Sequence, residues 1–288
     1  MTNEEMRASW TALGTRWVKH EAVFDAVFAP ATRALLAAAG ISEGDRVLDV
    51  GCGSGTLLAA AVADGAAVVG IDISATMVAA ARARVPDATV LLADAQETDL
   101  VSAAPGRPFD RVISRFGVMF FADPVVAFTR IGAATGEVGR LAFACWRPRE
   151  ENPIFTSGSE LINEALERIG ALPPPAAPDA PGPTSLGDPA RITSILTAAG
   201  WTPPTITAYD FEVDYGRAPG ATDGVNERLD MILATPAGAH AQSALAPALG
   251  ESGWADLLEE SRAHLRSSTV DGSVRFPGAV WIVTATPA

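Results

Sequence analysis

Asp49 in VLDVGCGSG, Asp72 in GIDIS and Asp94 in LLADAQ each stand at or next to the end of a short apolar run. A carboxylate at the end of a buried strand is tolerated only against hydrogen-bond donors or an opposite charge, so each of these residues asks for a partner. In the first motif the chain passes from apolar residues into Gly51, Gly53 and Gly55, with a helical stretch behind. That arrangement lets backbone approach a ligand closely. The dinucleotide fingerprint needs Gly-x-Gly-x-x-Gly, whereas here Thr56 takes the place of the final glycine, and Asp49 would repel a pyrophosphate. Both features speak against the rival reading, an NAD(P)-dependent oxidoreductase.

A carboxylate at position 49 suits a ligand end that carries an ammonium group; the alternative is a turn-capping role. Asp72, 21 positions after Gly51, can accept from both ribose hydroxyls of a nucleoside. Its alternative is an N-cap for the next helix, a place for which Ser74 competes. Asp94 can accept from an adenine amino group next to the Ala95 backbone, or cap a turn. The three together describe an adenosine bearing a cationic amino-acid tail. Arg115 directly follows a buried run, so its charge should face the site mouth and pair with an anionic acceptor or with Asp94; a structural ion pair is the alternative.

The elements that must position these groups follow from periodicity. Short apolar runs at Arg46–Val50, Ala67–Asp72, Thr89–Ala93, Phe109–Ser114 and Val138–Trp146 alternate with Ala-rich helical stretches. Alternating strand and helix predicts an α/β fold with a parallel sheet covered on both faces. Ligands in such sheets bind beyond the carboxyl ends of the strands, where the aspartates lie. Residues 4–40 read as helical with a break or kink at Pro30. A helical stretch over Ile154–Ile169 leads into the proline-rich loop ALPPPAAPDAPGPTSLGDP. A helix from Pro189 to Ala199 capped by Gly200, a strand near Ile206–Val213, a helical region over 216–270 and a last strand near Val274–Thr284 complete the chain. The organisation expected is an N-terminal helical cap (1–40), a core (41–149), a lid insertion (150–190), a core helix and strand (191–214), a helical insertion (215–270) and a final core strand (271–288).

Composition sets outer bounds. The 288 residues are 48% hydrophobic and carry 34 acidic against 21 basic side chains, a net charge of -13. This field repels nucleic acid and anionic lipid. Only Cys52 and Cys145 occur, so no disulfide framework can be argued. The start MTNEEMRASW is polar and acidic, and no uninterrupted run of about 18 apolar residues appears. A soluble, cytoplasmic protein with no membrane partner is the expectation. Three histidines and no Asp, Asn or His cluster at ligand spacing leave zinc and magnesium chemistry without support, so no metal is expected.

Through VLDVGCGSGTL, GIDIS, LLADAQ and FDRVISRFGVMFFADP the sequence resembles the class I S-adenosylmethionine-dependent methyltransferases, specifically over residues 40–146 and loosely elsewhere. It is most similar to small-molecule enzymes of the ubiquinone and menaquinone C-methyltransferase group, which includes many enzymes of secondary metabolism. The resemblance implies a Rossmann-like seven-stranded, mostly parallel sheet with its last strand antiparallel, helices on both faces and helical lid insertions. S-adenosylmethionine is the implied cofactor. Asp49, Gly51, Gly53 and Ser54 would surround its methionine part, Asp72 and Ile73 its ribose, and Asp94, Ala95 and Gln96 its adenine, with Ser114 and Arg115 next to the methyl donor and Cys52 and Met77 as further cofactor-binding residues. Thr135-Gly136-Glu137-Val138-Gly139 stands where many relatives have Pro-Gly-Gly, and reads as a longer turn.

The segment after the fourth strand, Ser114-Arg115-Phe116-Gly117, lacks the Asn-Pro-Pro-Tyr pattern of enzymes that methylate exocyclic amines. In-line transfer from a sulfonium needs mainly collinear positioning, so a dedicated base is optional. His20 is the candidate base for a phenol, enol or amine acceptor, because the N-terminal segment of such folds often closes over the cofactor; a solvated helix residue flanked by Lys19 and Glu21 is the alternative. Trp17, Phe116, Met119 and Trp146, together with Trp10, Phe120 and Phe121, either form an aromatic acceptor wall or are core. The expected activity is methyl transfer to oxygen or carbon of a small, moderately apolar, possibly aromatic acceptor. A non-catalytic S-adenosylmethionine-binding protein is the further alternative, and a homodimer is compatible with the fold.

Overall fold

The computed structural model describes residues 3–174, 177 and 179–288. Residues 1, 2, 175, 176 and 178, which belong to the expected N-terminal cap and proline-rich loop, lie outside the described residues. Strands form at the apolar runs: β1 (Arg46–Val50), β2 (Ala67–Asp72), β3 (Thr89–Leu92), β4 (Phe109–Arg115), β5 (Thr135–Trp146), β6 (Thr205–Asp214) and β7 (Arg275–Ala285). Between and around them lie α1 (Asn3–Lys19), α2 (Glu21–Ala39), α3 (Thr56–Ala63), α4 (Ala75–Arg84), α5 (Leu100–Ala103), α6 (Pro124–Ala134), α7 (Glu160–Arg168), α8 (Pro189–Ala198), α9 (Val225–Ala234) and α10 (Pro236–Ser267).

The strands form one sheet in the order β3-β2-β1-β4-β5-β7-β6. All pairings from β3 through β5 are parallel, and β7 runs antiparallel to both neighbours. Neighbouring side chains on a strand point to opposite faces, yet Val47, Leu48, Asp49 and Val50 are all buried, so β1 is covered on both sides. Helix starts are specified locally: Asp123 and Asp188 each accept a backbone N–H from the first turn of α6 and α8, and each is followed by a proline in that turn.

Several expectations are corrected. The N-terminal helical run breaks at His20 and not at Pro30, which lies inside α2. At His20 the backbone takes φ -110 and ψ 17, and the change of direction lets Trp17 stack on Phe24 at 3.6 Å between ring centroids. Thr135–Gly139 is not a turn. Thr135 pairs with Phe109, and a bulge shifts the register so that Arg140 then pairs with Arg111; β5 therefore starts at Thr135. The helix expected from Ile154 begins only at Glu160, preceded by 3-10 turns at Arg149–Glu151 and Pro153–Phe155, because Gly158 takes a left-handed φ of 86 that ends any helical run. The region 216–270 resolves into α9 and an α10 kinked at Gly250.

Among the described residues α2 is the helix long and apolar enough to cross a membrane. Its Phe24, Val27, Phe28, Ala31 and Leu35 are instead buried, and the helix packs on β4 to β7.

Candidate active site

Strand order reverses at β1, which leads to β2 and β3 on one side and meets β4 on the other, so a crevice must open between the carboxyl ends of β1 and β4. Two backbones meet at its floor. Gly51 has φ 68, and a Cβ there would lie 2.9 Å from the Gly117 Cα; only glycine permits both the turn and the approach. Ser114 ties the same point together, its Oγ donating to the Val50 carbonyl at 2.7 Å.

Above this floor lies a cavity of about 530 Å³, a volume usual for small-molecule sites. Among the expected site residues, Asp49, Gly51, Cys52, Gly53, Ser54, Asp72, Ile73, Met77, Asp94, Ala95, Gln96, Arg115, Trp17, Phe116, Met119 and Trp146 line it. Two do not. Ser114 is fully buried at the β1–β4 junction. His20 lies at the α1–α2 break, with Nδ1 3.8 Å from Asp230 Oδ2, and is not part of the cavity wall.

The three aspartates form one rim but differ in what holds them. Asp72 accepts from Gly53 N–H at 2.9 Å and from Ser74 N–H at 2.8 Å, so one carboxylate joins the glycine turn to the end of β2. Burial pushes its pKa up, while the N–H groups of Ser74, Gly53 and Ile73 pull it down. The N-cap of α4 is Ser74, whose Oγ accepts from Met77 N–H. Asp94 accepts from Gln96 N–H at 2.8 Å and lies 3.9 Å from Arg7 of α1. Gln96 Oε1 accepts from Asp123 N–H at 2.7 Å, which ties this corner to the start of α6.

Asp49 is different. It is 1% exposed, and neither carboxylate oxygen has a hydrogen-bond partner. Burial is the main cause of a pKa pushed up to about 8, with Arg115 opposing the shift and Asp72 adding to it. A buried carboxylate left without a donor at a cavity wall is a costly feature that a cationic ligand group would relieve. Burial, Asp49 and Asp72 also push the Cys52 thiol up, so it stays protonated and is no nucleophile.

Arg115 does not reach Asp94. It lies 3.6 Å from Asp25 of α2 and donates to Thr32 Oγ1 at 2.6 Å, and Asp25 also receives Thr56 Oγ1 and Arg84 Nη2 at 2.6 Å each. This network fastens α2 to the end of β4 and the start of α3. Asp25 lines the cavity and was not foreseen; its spacing from Glu21 on one helix face, followed by Arg84 and Arg115 elsewhere, gave a weak signal at best.

Beyond the glycine turn the wall turns aromatic. Phe116 stacks on Trp146 with centroids 4.6 Å apart, and Phe28 meets both rings edge-on at 5.3 and 5.6 Å. Phe155 closes on Trp146 at 5.5 Å, and Trp10 contacts Trp17 and Phe120. Phe116 holds a left-handed φ of 64, a strained state for a side-chain-bearing residue that places its ring in this wall. Phe155, Arg149 and Arg228 also line the cavity and were missed, because they follow no motif. Among the described residues no group of His, Cys, Asp and Glu is arranged to hold a metal ion.

Comparison with known proteins agrees with this geometry. Residues 47–137 match the family profile described as "Methyltransferase domain". The chain is 31% identical over 140 residues to the aklanonic acid methyltransferase of Streptomyces sp. (strain C5), covering 46% of this chain and 59% of that protein. It is 35% identical over 112 residues to the demethylmenaquinone methyltransferase of Beutenbergia cavernae, covering 39% and 45%. The chain thus spans about half the length of the curated relatives it matches. In fold it is similar to Haemonchus contortus phosphoethanolamine N-methyltransferase 2, solved in complex with phosphomonomethylethanolamine and S-adenosylhomocysteine, with a TM-score of 0.52, 18% identity and coverage of 92% of this chain and 56% of that one. Residues 47–137 therefore form a methyltransferase domain, carried by a seven-stranded sheet similar in fold to a solved methyltransferase that holds S-adenosylhomocysteine.

Proposed function

We propose that this protein transfers a methyl group from S-adenosylmethionine to oxygen or carbon of a small, moderately apolar, aromatic acceptor, without a metal. The observation that carries the reading is Asp49: a buried carboxylate with both oxygens unpartnered, at the end of β1 and facing the cavity, fits the ammonium of a cationic amino-acid tail. An ammonium in that place would favour ionisation of the Asp49 carboxyl and pair with it, whereas a pyrophosphate would oppose its ionisation and find no countercharge, which disfavours a nicotinamide cofactor.

S-adenosylmethionine supplies an electrophilic methyl group on a sulfonium sulfur. The chain's own residues bind and orient. Asp49 takes the ammonium; Asp72, held by two backbone N–H groups, keeps lone pairs for the ribose hydroxyls. Asp94, Ala95 and Gln96 surround the adenine. Phe116, Trp146 and Trp17 exclude water and hold the acceptor flat, the positioning effect that is worth up to about 7 to 11 kcal/mol in well-oriented reactions. Arg115 acts through Asp25 and Thr32 as a positioning residue for the wall next to Asp49. The names of two curated relatives, aklanonic acid methyltransferase and demethylmenaquinone methyltransferase, support a small-molecule acceptor and a role in secondary metabolism.

Calorimetry tests the cofactor: saturable binding of S-adenosylhomocysteine and none of NADH is expected, and tight NADH binding with no response to S-adenosylhomocysteine overturns the reading. Transfer of labelled methyl into a panel of phenols, naphthols and quinols is the expected second result. A protein that binds the cofactor but labels nothing in a broad metabolite extract would be a binding protein instead.

A further inference from the structure

Along the sheet the cavity lining changes sign. In strand order from β3 to β5, the charged and aromatic lining residues at or just beyond the carboxyl ends are Asp94, Asp72, Asp49, Arg115, Phe116, Trp146 and Arg149: carboxylates, a guanidinium already paired with Asp25, then aromatic rings and a second guanidinium. Arg228 of α9 joins the lining near Arg149, and one short segment of chain accepts from both. Arg228 donates through Nε to the Ser157 carbonyl at 3.0 Å and through Nη2 to those of Ile154 at 2.7 Å and Ser157 at 2.6 Å, while Arg149 Nη2 donates to the Phe155 carbonyl at 2.9 Å.

Neither arginine has a carboxylate within 4.0 Å among the described residues. Among the acidic groups of the neighbouring elements, Glu151 pairs with Arg147 and Asp214 with Arg217 and Arg275, Glu160 accepts from the Gly158 N–H, and Asp230 faces His20. Arg228 is only 3% exposed and is flanked by the rings of Tyr215 and Phe276 at 5.6 and 5.4 Å. A guanidinium buried against carbonyls and ring faces is hydrogen-bonded, but its charge is not neutralised, and it projects a positive potential into a low-dielectric cavity. Arg149 is exposed, lines the cavity and has one protein acceptor, which leaves most of its fork of donors free for a ligand.

We propose that the acceptor is an aromatic carboxylic acid whose carboxylate is held by Arg149, with Arg228 behind it, so that these two arginines determine acceptor specificity. This deepens the function proposed above and rests on it. The planar fork of arginine matches a carboxylate. The net charge of -13 repels anions, so capture of an acid requires a local positive pair. The aromatic rings lie between the acidic and the basic ends, where a flat acceptor anchored at its acid would present its remaining edge toward the donor side.

The probes are 2-naphthoate and 2-naphthamide, nearly identical in shape and different in charge, titrated by calorimetry into protein already saturated with S-adenosylhomocysteine. The acid is expected to bind about tenfold or more tightly than the amide, the size of a charge-assisted hydrogen bond. Arg149→Met is expected to remove most of that preference and leave the amide and S-adenosylhomocysteine affinities unchanged; Arg149 is exposed, so this variant does not depend on refilling a core site. Equal affinities in the parent protein, no measurable binding of the acid, or a variant that weakens both probes alike overturns the proposal. The preliminary titration with S-adenosylhomocysteine separates the two readings. Protein that binds it without acid preference loses only the acceptor assignment, whereas protein that fails to bind it loses the proposed function as well.

Discussion

At one end of the cavity the polar lining groups come from a single stretch of chain, residues 49–96, in which three consecutive strands each deliver an aspartate. At the other end Trp17, Phe116, Trp146, Phe155 and Arg228 arrive from separate segments spread over most of the chain. The first end is built from backbone: a left-handed Gly51, N–H groups bonded to Asp72 and Asp94, and a carboxylate with no protein partner. The second is built from stacked rings. Backbone geometry of the first kind admits few substitutions, whereas a ring wall can be repacked for a different acceptor while the fold is retained. One cavity thus joins a constrained carboxylate rim, the proposed donor end, to an adaptable ring wall, the proposed acceptor end.

If that division is right, a change at one end leaves the other intact. The largest effect is expected for Asp72→Ala, which removes the acceptor of two backbone bonds as well as the proposed ribose contact. S-adenosylhomocysteine affinity should fall by about ten to several hundred-fold, from charged hydrogen bonds of roughly 1.5 to 3 kcal/mol each. Near-ultraviolet circular dichroism from the tryptophan-rich wall should be unchanged. A variant that titrates like its parent breaks the comparison at its donor end.

Asp49 gives a sharper, pH-dependent test. Its pKa is raised by burial from 3.8 to about 8, so between these values the folded protein holds a proton that the unfolded chain has released. Its contribution therefore makes ligand-free stability fall as pH rises through that window, and the fall ends above pH 8. Asp49→Asn should flatten this part of the thermal-melting profile between pH 5 and 8. A cationic tail favours the carboxylate, so at pH 6.5 binding of S-adenosylhomocysteine should release a proton in the parent and none in Asp49→Asn, measured by calorimetry in buffers of different ionisation enthalpy. Equal release in both removes Asp49 from the ammonium site.

A smaller effect is expected at the acceptor end. Phe116→Gly and Phe116→Ala both remove a ring, but only glycine takes the left-handed φ of 64 without strain. The glycine variant should be the more stable by about 1 kcal/mol in denaturant unfolding. Both should weaken acceptor binding while leaving cofactor affinity within about threefold. The smallest effect belongs to His20→Ala. Its contact with Asp230 is long and that carboxylate is half exposed, so turnover and stability should both stay near parental values, stability within about 0.5 kcal/mol. A large loss of turnover would return the base role to His20.

The strand limits of β1 and β2 and the start of α8 at Pro189 were legible because each depends on a short run of chain: an apolar stretch, a glycine turn, a proline fit for the first turn of a helix. The donor rim was legible for the same reason, since parallel strands with a common register bring equivalent sequence positions to one edge. Where the reading failed, a packing or pairing contact had decided. Pro30 looked like the breaker, but the helix ends at His20, where Trp17 folds onto Phe24; Thr135–Gly139 looked like a turn, but pairing with β4 made it strand.

What the sequence by itself determined is the order of strands and helices, the glycine turn and the three carboxylates, because local hydrophobic period and turn chemistry dictate them. What only the tertiary structure decided is which side chains share a cavity wall: Arg115 with Asp25, Phe116 with Trp146, and two arginines without acidic partners over one short segment. The physical reason is that such contacts depend on packing between elements far apart in the chain, and no periodicity along the sequence records the distance between them.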